Sequence, residues 1–178
     1  MEELDLSNNH IIGSIPSFLC KVSNLSHLDL SRNRLSGKIL DCWKKNTNFE
    51  VINLLSNELS GTFPSSFGNF ELLTWLNLRK NSLHGEIPQA LKTCENVQAL
   101  DLDSLLIGGI PSSLCQLFQL QVLDFANNTL SGSIPRCIGN LTAMLQPMPI
   151  NLAISPGSWP SDIKWKYEGV NQVLKGID

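Results

Sequence analysis

One triplet, apolar-x-apolar, returns along this chain at an almost fixed step, and no other feature limits the fold as strongly. Leu4-Asp5-Leu6 recurs as Leu28-Asp29-Leu30, Ile52-Asn53-Leu54, Leu76-Asn77-Leu78, Leu100-Asp101-Leu102 and Leu123-Asp124-Phe125. Four steps are of 24 residues and the last is of 23. Other residues keep the same phase. An asparagine stands five residues after the first apolar position at Asn9, Asn33, Asn57, Asn81 and Asn128. A glycine follows at Gly13, Gly37, Gly61, Gly85, Gly108 and Gly132. An apolar-Pro pair comes next, as in Ile15-Pro16, Phe63-Pro64 and Ile134-Pro135, with Leu40 in the proline's place in the second copy.

A spacing of two puts both apolar side chains of the triplet on one face of a short strand. The residue between them then faces the other way, toward solvent. A single copy cannot bury its own apolar face, so successive copies must stack with their strands in a parallel sheet. The Asn amide offers donors and an acceptor to turn backbone that stacking removes from water. Glycine and proline set the turn that leads back. After each proline a stretch such as Ser112–Leu117 is expected as a short helical or 3-10 segment on the opposite side. The fifth copy, Leu100 to Gly108, is one residue short. Its best alignment deletes the ladder Asn, with Leu105 beside the gap, so an interrupted ladder and a local irregularity are expected in an array that otherwise continues.

The motif Leu-Ser-Gly-x-Ile-Pro, seen in Leu59-Ser60-Gly61-Thr62-Phe63-Pro64 and Ser131-Gly132-Ser133-Ile134-Pro135, resembles the plant-specific leucine-rich repeat. That repeat occurs in plant receptor-like proteins, receptor-like kinases and polygalacturonase-inhibiting proteins. The resemblance covers roughly residues 1–146 and implies an α/β fold: a right-handed leucine-rich-repeat solenoid with a parallel concave sheet and short convex 3-10 or helical segments. It also implies a second short strand near the Gly-x-Ile-Pro segment. The period fails after Leu141. Pro147, Pro149, Pro156 and Pro160 crowd the next stretch, and Leu174-Lys175-Gly176-Ile177-Asp178 restores the opening of a repeat. Residues 147–173, with Trp165-Lys166-Tyr167-Glu168, resemble the island insert of receptor-like proteins of the elicitor-receptor kind. Residues 174–178 then begin a further repeat. Against that family, the sequence shows neither a signal peptide at its acidic start nor a membrane helix, so it reads as part of a longer protein.

The five cysteines are Cys20, Cys42, Cys94, Cys115 and Cys137. Cys20 to Cys42 and Cys115 to Cys137 both span 22 residues and hold the same phase. Adjacent rungs can bring such positions within the roughly 7 Å that a disulfide needs. Bridges Cys20–Cys42 and Cys115–Cys137 are expected, or else buried free thiols, with Cys94 left over. Three glycosylation sequons begin at Asn24, Asn127 and Asn140, consistent with an extracellular parent protein at the plasma membrane.

No catalytic pattern stands out. Gly-x-Ser-x-Gly and phosphate-loop motifs are lacking, and His10, His27 and His84 sit in different repeats with no Cys-x-x-Cys, so neither metal nor cofactor is expected. A formal net charge of −3 argues against a nucleic-acid partner. The outward strand positions are the candidate binding surface: His27, Val51, Leu55, Trp75, Arg79 and Asp103. Trp75 beside Arg79 has the composition of a binding hot spot, though Trp75 could equally pack against its neighbours. The expected ligand is a protein, peptide or glycan, and the family implies a co-receptor kinase. The leading reading is a ligand-binding part of a plant cell-surface receptor-like protein in defence or developmental signalling. The alternatives are an inhibitor of secreted polysaccharide-degrading enzymes and a truncated, non-functional gene product.

Overall fold

The computed structural model describes residues 2–43, 48–103 and 105–145. The island-like insert expected at 147–173 and the repeat opening expected at 174–178 lie outside the described residues. In chain order the strands are β1 (Glu3–Asp5), β2 (Ile12–Gly13), β3 (His27–Asp29), β4 (Arg34–Lys38), β5 (Val51–Asn53) and β6 (Glu58–Thr62). They continue as β7 (Trp75–Asn77), β8 (Ser82–Gly85), β9 (Ala99–Asp101), β10 (Leu105–Gly108), β11 (Val122–Asp124) and β12 (Thr129–Leu130). Five 3-10 segments lie at Ser17–Lys21, Ser65–Asn69, Gln89–Thr93, Ser112–Gln116 and Arg136–Asn140, followed by a helical turn, α1 (Thr142–Leu145).

The strands form two parallel sheets: β1, β3, β5, β7, β9 and β11 in one, and β2, β4, β6, β8, β10 and β12 in the other. This is a leucine-rich-repeat solenoid, with the apolar triplet supplying the first sheet and the Asn-to-Gly segment the second. Leu28, Leu30, Ile52, Leu54, Leu76, Leu78, Leu100 and Leu102 are each at most 4% exposed. Burying one such side chain stabilises by about 1.5–3 kcal/mol, and a rung obtains that only with a neighbour on each side. The first and last of the described rungs show this: Leu4 and Leu123 are only partly buried, and Leu6 is 39% exposed.

Proline starts each 3-10 segment. Pro16, Pro64, Pro88, Pro111 and Pro135 all hold φ between −58° and −72°, the value their ring imposes. The carbonyl of each accepts from the N–H three residues on, as in Leu19 to Pro16 at 3.1 Å. Where Leu40 replaces proline, Asp41 takes on a capping task in the following rung. It accepts from the Ser66 N–H at 2.7 Å and from the Ser65 hydroxyl at 3.1 Å. These bonds, the Ser66 bonds foremost, hold the Asp41 carboxyl below its ordinary pKa. An aromatic cluster fills the core at this level: Trp43, Phe49, Phe67 and Phe70 meet mostly edge to face at 4.9–6.2 Å.

Asparagine works as a ladder. Asn57 accepts from the Leu35 N–H of the preceding rung at 3.0 Å, and its amide donates to the carbonyls of Leu30, Leu54 and Leu55. Asn33 and Asn81 repeat the pattern, and Asn128 resumes it after the short fifth copy. The register locates the gap. The Lys80 N–H still bonds the Asp103 carbonyl with the regular offset. By β10 the pairing has slipped, since His84 aligns with Leu105 where Ser60 aligns with Ser82. Pairing in the first sheet then runs from Ala99 to Val122, one residue fewer than from Trp75 to Ala99. Both sheets continue past the lost residue, because the core positions on either side keep their rungs.

Candidate ligand-binding face

Alternation along the first sheet puts three rows of side chains on the face away from the core. One row runs from Glu3 through His27, Val51, Trp75 and Ala99 to Val122. The middle row runs from Asp5 to Asp124. The third holds Ser7, Ser31, Leu55, Arg79, Asp103 and Ala126. Strand pairing brings the candidates onto neighbouring rungs: His27 aligns with Val51, and Val51 with Trp75. His27, Val51, Leu55, Trp75, Arg79 and Asp103 therefore share one face.

Their surroundings differ. Val51, Leu55 and Trp75 are 4%, 9% and 6% exposed, so of the two readings of Trp75 the structure has the buried one. Arg79 leans along the stack toward three carboxylates. Its Nε lies 3.6 Å from Asp101 and 3.5 Å from Asp103, and a terminal nitrogen lies 3.9 Å from Asp124. One guanidinium thus spans three successive rungs. Asp103 also accepts from the Asn127 amide at 3.1 Å. At the other end of the sheet, His27 is half-buried beside exposed Glu3.

The middle row departs from expectation. Solvent was the expected surroundings of these Asp and Asn side chains, yet Asn53, Asn77 and Asp101 are buried. Most of the row turns back on its own backbone. Asp5 accepts from the N–H of Ser7, Asp29 from Ser31, Asn53 from Leu55, Asn77 from Arg79 and Asp124 from Ala126, at 2.8–3.2 Å. Each bond satisfies an N–H where the strand ends and the chain enters its turn. The residue after that N–H, Asn8, Arg32, Ser56, Lys80 or Asn127, takes a left-handed φ of 54–56°. Two of those five are asparagine, the residue type that most readily tolerates this conformation after glycine. That was the signal available in the sequence.

The cysteines fall on the side of the 3-10 segments. Cys20 and Cys42 form one disulfide and Cys115 and Cys137 another, each with Cα atoms 5.7 Å apart. Cys94 is fully buried, and its thiol donates to the Phe67 carbonyl at 3.2 Å. It stands at the rung position that Phe70 and Leu117 fill with hydrocarbon. Burial raises its pKa to about 11. The sequon residues Asn24, Asn127 and Asn140 are exposed. Among the described residues no helix is long and apolar enough to cross a membrane.

A family model described as Leucine Rich Repeat matches residues 1–22, 24–46, 48–70, 72–94 and 119–141. The chain belongs to the leucine-rich-repeat family. The matched segments step over the shortened fifth repeat, the place where the register slips. Among curated relatives, receptor-like protein 54 of Arabidopsis thaliana is 41% identical over 44 residues, covering 25% of this chain and 6% of that protein. Among solved structures, the plant peptide hormone receptor RGFR1 in complex with RGF2 shares 35% identity at a TM-score of 0.77, covering 79% of this leucine-rich-repeat chain and 23% of that one. The Arabidopsis receptor kinase HAESA, in complex with the peptide hormone IDA and the co-receptor SERK1, shares 40% identity at a TM-score of 0.76, covering 80% and 24%. The repeats thus resemble those of the plant receptors just described, and the chain spans a small share of the relatives it matches.

Proposed function

We propose that this chain is a ligand-binding part of a plant cell-surface receptor-like protein, and that its first sheet receives a peptide or protein ligand. The observation that carries this reading is the division of labour along the first sheet. The core-facing positions are almost invariably apolar, while the outer rows change character from rung to rung, from Glu3 and His27 to Val51 and Trp75 to Arg79 and Asp103. A uniform outer row would serve only to keep a solenoid hydrated. A varied one on parallel rungs gives an extended ligand a different neighbour every 4.7–4.9 Å. The two solved receptors described above hold peptide hormones, which supports a peptide as the class of ligand.

In this reading the chain binds and does not catalyse, signalling passes to a separate kinase partner, and glycans at Asn24, Asn127 and Asn140 mark the parent protein as extracellular. The polar margins at His27 and at Arg79–Asp103 make the specific contacts on either side of the apolar centre formed by Val51, Leu55 and Trp75. The test is selection of binders from a displayed random-peptide library, followed by substitution. Arg79→Glu or His27→Ala should weaken a selected peptide at least tenfold, while Lys92→Glu on the 3-10 side should leave it unchanged. Equal loss from all three, or loss from Lys92→Glu alone, contradicts the reading.

A further inference from the structure

We propose that the β1–β3 end of this face is a subsite for a cationic group of the ligand: the guanidinium or ammonium of an arginine, a lysine or a free peptide N-terminus. The proposal rests on the reading of the first sheet as the ligand-binding face and adds the chemistry of one contact.

The charge on the face is lopsided. The outer rows carry Glu3, Asp5, Asp29, Asp101, Asp103 and Asp124 against the single cation Arg79. That cation is committed to the far end, where it reaches Asp101, Asp103 and Asp124. Glu3, Asp5 and Asp29 are left together at the near end. Glu3 aligns with His27, and Asp5 with Asp29. On a parallel sheet such partners stand about 5 Å apart, and residues two apart on one strand stand about 7 Å apart. Three carboxylates and an imidazole therefore line one patch of the order of a guanidinium's own size. Asp29 receives only neutral donors from the described residues, the Ser31 N–H at 2.8 Å and the Asn53 amide at 2.8 Å.

Two polar atoms at this patch lack partners among the described residues, and the hydrogen bonds around Ser26 bear on what one of them wants. Ser26 has one hydroxyl proton. It donates to the Glu2 carbonyl at 3.0 Å, so toward His27 Nδ1, 2.7 Å away, it can only accept. Nδ1 then carries a proton, and in the uncharged form of the ring Nε2 is a bare acceptor. That Nε2 is shielded from solvent and has no hydrogen-bond partner among the described residues. On the same face, two residues beyond Asp29, Ser31 is fully buried and its hydroxyl also lacks a partner among the described residues. A shielded polar atom without a partner is costly. A ligand N–H directed at His27 Nε2, with its positive charge over Glu3, Asp5 and Asp29, supplies both the missing bond and the missing charge. An anionic ligand group would face three carboxylates here.

The experiment uses the full chain with nitrogen-15-labelled histidine at low ionic strength, where exposed charges are least screened. Four tripeptides serve as probes: three capped ones with glycine flanking arginine, lysine or the uncharged isostere citrulline, and triglycine with a free amine. The arginine, lysine and free-amine arms separate the sources of the cation. Binding of at least one cationic probe should move the His27 Nε2 resonance while those of His10 and His84 stay in place. Asp29→Asn keeps the acceptor for the Ser31 N–H and should weaken that probe roughly tenfold, in keeping with a charge-assisted hydrogen bond. Glu3→Gln, at an exposed position, should weaken it in the same direction. The proposal is overturned if citrulline binds as well as arginine, if all three histidines move together, or if neither variant changes the affinity. A selected peptide that needs Arg79 yet has no cation dependence at His27 overturns this subsite alone; a peptide indifferent to both ends removes the ligand-face reading with it.

Discussion

Replacing Asn57 by alanine isolates what the asparagine ladder contributes. Asn57 is 9% exposed and makes four contacts: it accepts from the Leu35 N–H at 3.0 Å and donates to the carbonyls of Leu30, Leu54 and Leu55 at 3.0, 3.1 and 3.4 Å. Alanine keeps the backbone and removes all four. Leu35 is 4% exposed, so water does not readily replace its lost acceptor. Leaving one buried donor unmet costs about 1–3 kcal/mol, and each ordinary hydrogen bond lost adds about 0.5–1.5 kcal/mol. The 3.4 Å contact is long and the amide's two protons are shared among three acceptors, so the lower end of that range applies to the donated bonds. A loss of about 3–4 kcal/mol follows. Asn9→Ala is the control, because Asn9 is exposed and its amide bonds only the carbonyls of Leu6 and Ser7. That change should cost under about 1 kcal/mol. Urea unfolding followed by circular dichroism gives both values. If the two variants lie within about 0.5 kcal/mol of each other, the ladder is not what holds the turns and the reasoning fails.

Three further predictions follow from the same geometry. Inserting an asparagine between Ser104 and Leu105 restores the regular period and offers Leu83 the acceptor that Leu35 has in Asn57; it should raise stability by about 1–2 kcal/mol in the same urea assay. Gly68→Ala should cost about 1–3 kcal/mol, because a Cβ there would stand 2.6 Å from the Ala90 carbonyl oxygen, which belongs to the backbone of the next rung. Cys94 should resist alkylation at pH 8 in the folded protein and react on unfolding. Its folded pKa of about 11 lies above the ordinary value of 9.0. The unfolded chain therefore releases this proton first, and folding stability should decline as pH rises from about 9 to about 11.

The fold was legible because it is written several times over. The triplet, the ladder Asn, the turn Gly and the Pro each recur in phase, and each recurrence has a local cause: strand alternation, amide satisfaction, positive φ at Gly61 or Gly85, fixed φ at Pro64. The missing ladder residue was legible for the same reason, since a gap shows only against a period. What escaped was cooperative. The carboxamide of Asn53 capping the Leu55 N–H is a contact over two residues that any Asp or Asn could make. Strand alternation alone points that side chain toward solvent, and the strand-to-turn geometry that demands the cap becomes visible only with the backbone in place. The reach of Arg79 across three rungs depends on a side-chain direction that spacing does not encode. The tautomer of His27 depends on Ser26 and Glu2, which lie on different rungs.

That the first sheet, and not the 3-10 side, meets the ligand is tested most directly by hydrogen exchange on the full chain with and without a peptide selected for binding. The account predicts slowed exchange in the peptide fragments carrying β3, β5, β7 and the turns that follow them, with the fragments carrying Ser65–Asn69 and Gln89–Thr93 unchanged. Protection confined to those 3-10 segments would contradict it.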